Sequence, residues 1–141
     1  MLVAEPRALF KKLTPTCTRA LEAAAGACVT GQNYEVTVEH LIAALLDDRE
    51  SDIATILDHY RVDRPTVQGT IQRSIRDLRS GNAGKPTFST LMLQLMQDAW
   101  VYGSTELGEN AIRSGALLVR ILQSPGKYLP SDVPALDTIP K

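Results

Sequence analysis

The segment that comes nearest to a chemical motif in this 141-residue sequence is GNAGKPT at residues 81–87, which resembles a phosphate-binding loop. A Walker A loop needs a glycine five residues before the glycine that precedes its lysine, and a serine or threonine after the lysine. Here Arg79 and Pro86 occupy those two positions, and proline has neither a hydroxyl nor a backbone N–H. We therefore interpret residues 81–87 as a linker and predict no cofactor for this part of the protein.

Two histidines and two cysteines are the other candidates for chemistry. His40 directly follows Glu39, so the two side chains cannot share a helical face as a base and its orienting carboxylate would. We expect His40 to pack against or cap a helix rather than to bind a metal. Cys17 and Cys28 would lie about 16 Å apart on one helix, too far for a disulfide or a shared metal. The sequence thus predicts no catalytic residue, no cofactor-binding residue and no metal ligand.

Composition favours a helical domain. Hydrophobic residues make up 44% of the chain but aromatic residues only 5%, so the core is predicted to be aliphatic and built from helices packed on helices. The 15 basic and 16 acidic residues are interspersed, which leaves no basic surface for nucleic acid. No apolar run reaches the roughly 20 residues that span a bilayer, so we expect neither a nucleic-acid nor a membrane partner, and a cytoplasmic location.

Capping residues and apolar spacing predict a short leader helix followed by two groups of helices. Thr14 and Pro15 are typical of a helix start, and Ser51 or Asp52, Asp63 and Ser114 are further candidate caps. The predicted division is a leader helix over residues 1–14, a first repeat over 15–79, a linker over 80–87, a second repeat over 88–125, and a tail or interdomain linker over 126–141.

The two groups of helices align with each other. Leu21 falls on Met96, and a register shifted by one position sets Val36 on Ile112 and LIAALL at 41–46 on LLVRIL at 117–122. Repeated helical units stack because neither can cover its apolar face alone. The predicted fold class is all-α, with two pseudo-repeated helical bundles and a short N-terminal leader helix.

TVEHLIAAL at residues 37–45 resembles the T-x-E-H-L-L-x-A-L pattern of the Clp N-terminal domain, and the likeness extends over about residues 9–124. Within that family, LFKKLTPTC at 9–17 and DAWVYG at 98–103 are similar to the ClpV group, the AAA+ ATPases of bacterial type VI secretion. The second repeat departs from the pattern, because Gly115 and Ala116 stand where the E-H pair often recurs.

This resemblance implies a substrate-recognition module of a bacterial Clp-type unfoldase that forms a hexamer only as the full-length protein. ATP and Mg²⁺ would bind only in ATPase modules beyond residue 141. The implied partner is an N-terminal helix of the large subunit of a contracted type VI secretion sheath, and the alternative is a general ClpB- or ClpA-like chaperone domain that binds adaptors or aggregated substrates.

We expect the leader helix and the segment that begins at Phe88 to form the walls of an apolar groove for an amphipathic helix. As an alternative, the apolar residues of the leader would only staple the first bundle. The predicted groove residues are Leu9, Phe10, Leu13, Phe88, Leu91, Met92 and Leu95. Arg7, Lys11 and Lys12 would flank the groove and steer an acidic ligand.

Overall fold

The computed structural model describes residues 6–124 and 127–129. Over this part of the chain the protein is a bundle of helices with two very short parallel strands, which confirms the predicted all-α class. The helices are α1 (Pro6–Lys12), α2 (Pro15–Thr30), α3 (Val38–Asp47), α4 (Asp52–His59), α5 (Arg64–Arg76), α6 (Thr90–Glu106) and α7 (Ser114–Gln123), and the strands are β1 (Glu35–Val36) and β2 (Thr87–Phe88).

Most helices begin where the capping residues predict. The Thr14 hydroxyl accepts a hydrogen bond from the Cys17 N–H, with Pro15 in the first turn of α2, and Ser51 caps α4 through the Ala54 N–H. Two predicted caps differ from the structure in different ways. Ser114 lies inside α7, whose N-cap residue is Arg113, and Asp63 occupies the predicted N-cap position of α5 but its carboxylate makes no cap hydrogen bond.

Two parallel pairings join the two helix groups. Val36 in β1 pairs with Phe88 in β2, and Leu13 forms a single bridge with Ile112. Leu13 and Phe88 hold equivalent places, before α2 and α6, and Val36 and Ile112 hold equivalent places, before α3 and α7. In the first helix group the equivalent helices are α2 and α3, and in the second they are α6 and α7. Each pairing therefore joins the segment before the first helix of one group to the segment before the second helix of the other group. The exact boundaries of the predicted repeats stay a prediction.

One hydrophobic core runs through both helix groups, and α3 lies at its centre, in contact with α2, α4, α5 and α6. The apolar residues of α3 recur at helical spacing and are all buried: Val38, Leu41, Ile42, Leu45 and Leu46. Cys17 and Cys28 are free and buried. On α6, Leu91 and Val101 remain exposed, whereas Met92, Leu95 and Met96 are buried.

The segments before and after the second helix group both contact the rest of the protein. Asn82 donates from its backbone and its side chain to the carbonyls of Gln32 and Asn33, which ties the segment before β2 to the end of α2. After α7, Tyr128 and Leu129 lie in the core. The packed part of the chain therefore reaches at least residue 129, while residues 125–126 and 130–141 of the predicted tail lie outside the described residues.

Candidate peptide-binding surface

An exposed apolar surface lies where α1 packs beside the start of α6. The rings of Phe10 and Phe88 meet edge to face, with centroids 5.1 Å apart and an angle of 67° between their planes. Phe88 and Leu91 are each 37% exposed and Phe10 is half-buried. Phe10, Phe88 and Leu91 form what we call the Phe–Leu surface.

The structure places the other predicted groove residues inside the protein. Leu9 and Leu13 are buried, and Met92 and Leu95 have no exposed surface at all. These four side chains belong to the hydrophobic core. We therefore leave Leu9, Leu13, Met92 and Leu95 out of the surface that a ligand would touch.

Positive charge flanks the surface on α1. Arg7, Lys11 and Lys12 are exposed, and the Lys12 ammonium lies 4.6 Å from the centroid of the Trp100 ring. Sequence reasoning did not pair these two residues, because they are far apart in the chain and meet only where α1 crosses α6. Trp100 thus extends the mixed apolar and basic region along α6.

The histidine and glutamate of the 37–45 motif lie in the interior rather than at this surface. His40 Nδ1 accepts from the Thr37 backbone N–H at 3.1 Å, and Nε2 lies 3.2 Å from Asn33 Oδ1. His40 therefore caps α3, as predicted. Burial lowers the pKa of His40 and raises the pKa of Glu39, since charged forms are costly away from water.

Within residues 6–124 and 127–129, no cluster of three or more histidine, cysteine or carboxylate side chains is arranged to hold a metal ion. None of the helices described there is long and apolar enough to cross a membrane. What the arrangement offers is a surface of apolar rings beside lysines, which suits the apolar face of an amphipathic helix.

The fold and this surface define a protein-docking module. The family model of the Clp repeat (R) N-terminal domain matches residues 12–129, and the chain belongs to that family.

Two solved structures share this fold over almost the whole chain. The N-domain of ClpV from Vibrio cholerae is 32% identical, with a TM-score of 0.90 over 99% of this chain and 84% of that one. A complex of a ClpV N-domain with a VipB peptide is also 32% identical, with a TM-score of 0.89 over 99% of this chain and 86% of that one.

Two curated proteins are similar at 29% identity. The AAA+ ATPase ClpV1 of Pseudomonas aeruginosa aligns over 84% of this chain, and the chaperone protein ClpB of Yersinia enterocolitica over 81%. The chain spans only 13% of the length of each of these proteins.

Proposed function

We propose that this chain is the substrate-recognition N-terminal domain of a ClpV-type AAA+ unfoldase and that it binds an N-terminal helix of the contracted type VI secretion sheath. Binding would deliver the sheath to the ATPase rings for disassembly and recycling. The observation that carries the proposal is the complex of a ClpV N-domain with a VipB peptide, which matches this chain over 99% of its length.

The Phe–Leu surface supports this proposal physically. Phe10 and Phe88 offer two ring faces and edges at fixed geometry, and Leu91 lies in the first turn of the helix that follows. A helical ligand with apolar residues three and four positions apart would cover all three side chains. Lys11 and Lys12 would attract acidic residues at the edge of such a ligand.

The test uses a labelled peptide that carries the N-terminal helix of a sheath large subunit. The domain is titrated into this peptide, and binding is followed by fluorescence anisotropy. We expect saturable binding. Leu91→Asp should raise the Kd at least about tenfold, because burial of a leucine contributes about 1.5–3 kcal/mol and about 1.4 kcal/mol corresponds to a factor of ten.

The matched control is Val101→Asp on the same helix, where the side chain is 54% exposed and lies outside the Phe–Leu surface. This variant should bind the peptide as the parent does, and both variants should keep their helical circular dichroism. Equal affinity for Leu91→Asp and the parent would show that the peptide binds elsewhere. No binding by the parent would refute the sheath-binding function.

The similarity to ClpB supports a second candidate, a general chaperone N-domain that binds adaptors or aggregated substrates. That function predicts binding to an unfolded model protein such as reduced casein, with little preference for the sheath peptide. A competition experiment separates the two candidates. Displacement of the labelled peptide by casein would support the general chaperone, and no displacement would support the sheath-binding domain.

We also propose that the domain binds without catalysing a reaction. Because the chain spans 13% of the length of its curated relatives, we place ATP and Mg²⁺ binding and hexamer formation in other parts of a longer bacterial protein, which we expect to be cytoplasmic. A clean preparation of this chain should not hydrolyse ATP.

A further inference from the structure

The N-termini of α4 and α7 meet head to head and cap each other. The Asp52 N–H, at the start of α4, donates to Ser114 Oγ at 2.7 Å, and the Gly115 N–H, at the start of α7, donates to Asp52 Oδ2 at 3.2 Å. Each helix therefore receives from the other an acceptor for a backbone N–H that its own hydrogen bonds leave unpaired.

Arg113 closes this contact from the outside. Its Nε and Nη2 atoms donate to the two carboxylate oxygens of Asp52 at 3.1 and 2.8 Å, and Nε lies 3.4 Å from a carboxylate oxygen of Glu109. A bidentate pairing of this kind fixes both the position and the plane of the carboxylate. The Asp52 side chain is thus held by Arg113 and by the Gly115 N–H.

Gly115 is the position where α7 comes closest to this carboxylate. A Cβ atom added there would lie 3.3 Å from both Asp52 Cβ and Asp52 Oδ2. These distances are shorter than ordinary van der Waals contact, so Asp52 would have to move. It cannot move outward without lengthening its hydrogen bonds to Arg113 and to the backbone of α7.

We propose that Asp52, Arg113 and Ser114 form a latch that sets the position of α7 against α4, and that the latch closes only with glycine at position 115. The latch replaces the side-chain cap that α7 lacks at its own N-cap residue, whereas α3 keeps such a cap in Thr37. Because α7 also packs on α6, which carries Leu91, the latch helps to set the position of α7 against that helix.

The test compares the direction in which the Tm changes when glycine is replaced by alanine at different positions. Alanine normally stabilises a helix relative to glycine, so Gly26→Ala in α2 and Gly69→Ala in α5, where a Cβ meets no atom within 4 Å, should keep or raise the Tm by up to about 5 °C. Gly115→Ala should instead lower the Tm by about 3 °C or more.

The same substitution in an Asp52→Ala background separates the latch from other causes. This background removes the contact with Oδ2 but keeps the Cβ of residue 52, so Gly115→Ala should lower the Tm by less than it does in the parent. If Asp52→Ala does not fold, Arg113→Gln, which releases the Asp52 carboxylate, should also reduce the decrease. A rise in Tm for Gly115→Ala in the parent, or the same decrease in all backgrounds, would overturn the latch.

Discussion

At the scale of single residues, His40 connects two parts of the domain. Because Asn33 Nδ2 donates to the Arg79 carbonyl, its Oδ1 faces His40 Nε2 and accepts the hydrogen there. Nδ1 then accepts from the Thr37 N–H and completes a capping box at the start of α3. Only the neutral ring fits this arrangement, with Nε2 as the donor and Nδ1 as the acceptor. In the charged ring Nδ1 would also carry a hydrogen, which would face the Thr37 N–H donor.

The neutral state of His40 predicts a pH dependence of stability. Burial lowers the pKa of His40 below its ordinary value of 6.5, so the unfolded chain takes up a proton that the native protein does not. This contribution to the free energy of unfolding is complete above about pH 6.5 and is lost as the pH falls from there through the native pKa.

Urea unfolding at pH 7.5 and pH 5.5 measures this effect. His40→Gln keeps a capping-box residue that does not titrate, so the variant should lose less stability between the two pH values than the parent does. The same loss in parent and variant would show that His40 is not the group responsible.

At the scale of elements, α1 acts in part as a staple. Leu9 and Leu13 are buried. The Lys12 carbonyl accepts from the Ile112 N–H at 2.6 Å, and the Thr14 N–H donates to the Ile112 carbonyl at 3.0 Å. The structure thus assigns a packing role to one face of α1 and leaves Phe10 for the surface. The predicted staple would hold only the first bundle. In the structure α1 packs on α6, which belongs to the second helix group.

Leu9→Ala tests the packing role of α1. We expect the free energy of unfolding to fall by about 2–4 kcal/mol, because the substitution removes buried methyl groups and leaves a cavity. The control is Leu107→Ala, at a leucine that is 51% exposed, which should change stability by less than about 0.5 kcal/mol. Chemical denaturation measures both, and equal effects would mean that α1 does not pack as described.

At the scale of the whole molecule, residues after α7 complete the core. Tyr128 is buried, its hydroxyl donates to the Asp98 carboxylate on α6, and Lys127 Nζ lies 3.6 Å from the same carboxylate. Burial and this neighbouring carboxylate raise the pKa of Tyr128. The chain therefore crosses back over α6 after α7 ends.

Two substitutions at Tyr128 separate packing from hydrogen bonding. Tyr128→Ala should lower the free energy of unfolding by about 3–5 kcal/mol, as for other buried aromatic residues. Tyr128→Phe keeps the ring and should cost about 1–3 kcal/mol, because Asp98 Oδ2 loses the hydroxyl donor while Gln94 still donates to Oδ1. If Tyr128→Ala cost no more than Tyr128→Phe, the ring would not be part of the core.

The sequence by itself determined the local features of this protein. The helix class, the start of α2 at Thr14 and Pro15, the buried stripe of α3 and the capping role of His40 all follow from spacing and side-chain chemistry within a few residues. The alignment of apolar positions between the two helix groups also has a structural counterpart, because the two parallel pairings join equivalent places of those groups crosswise.

Only the tertiary structure decided which apolar residues are buried and which are exposed. Met92 and Leu91 are neighbours of similar hydrophobicity, yet one lies in the core and the other on the surface. The α6 helix is apolar over so much of its circumference that its own pattern does not select the outer face, and the packing of α1 and α7 makes that choice. The contacts of Lys12 with Trp100 and of Asp52 with Gly115 likewise join residues distant in the chain, and no local spacing encodes such contacts.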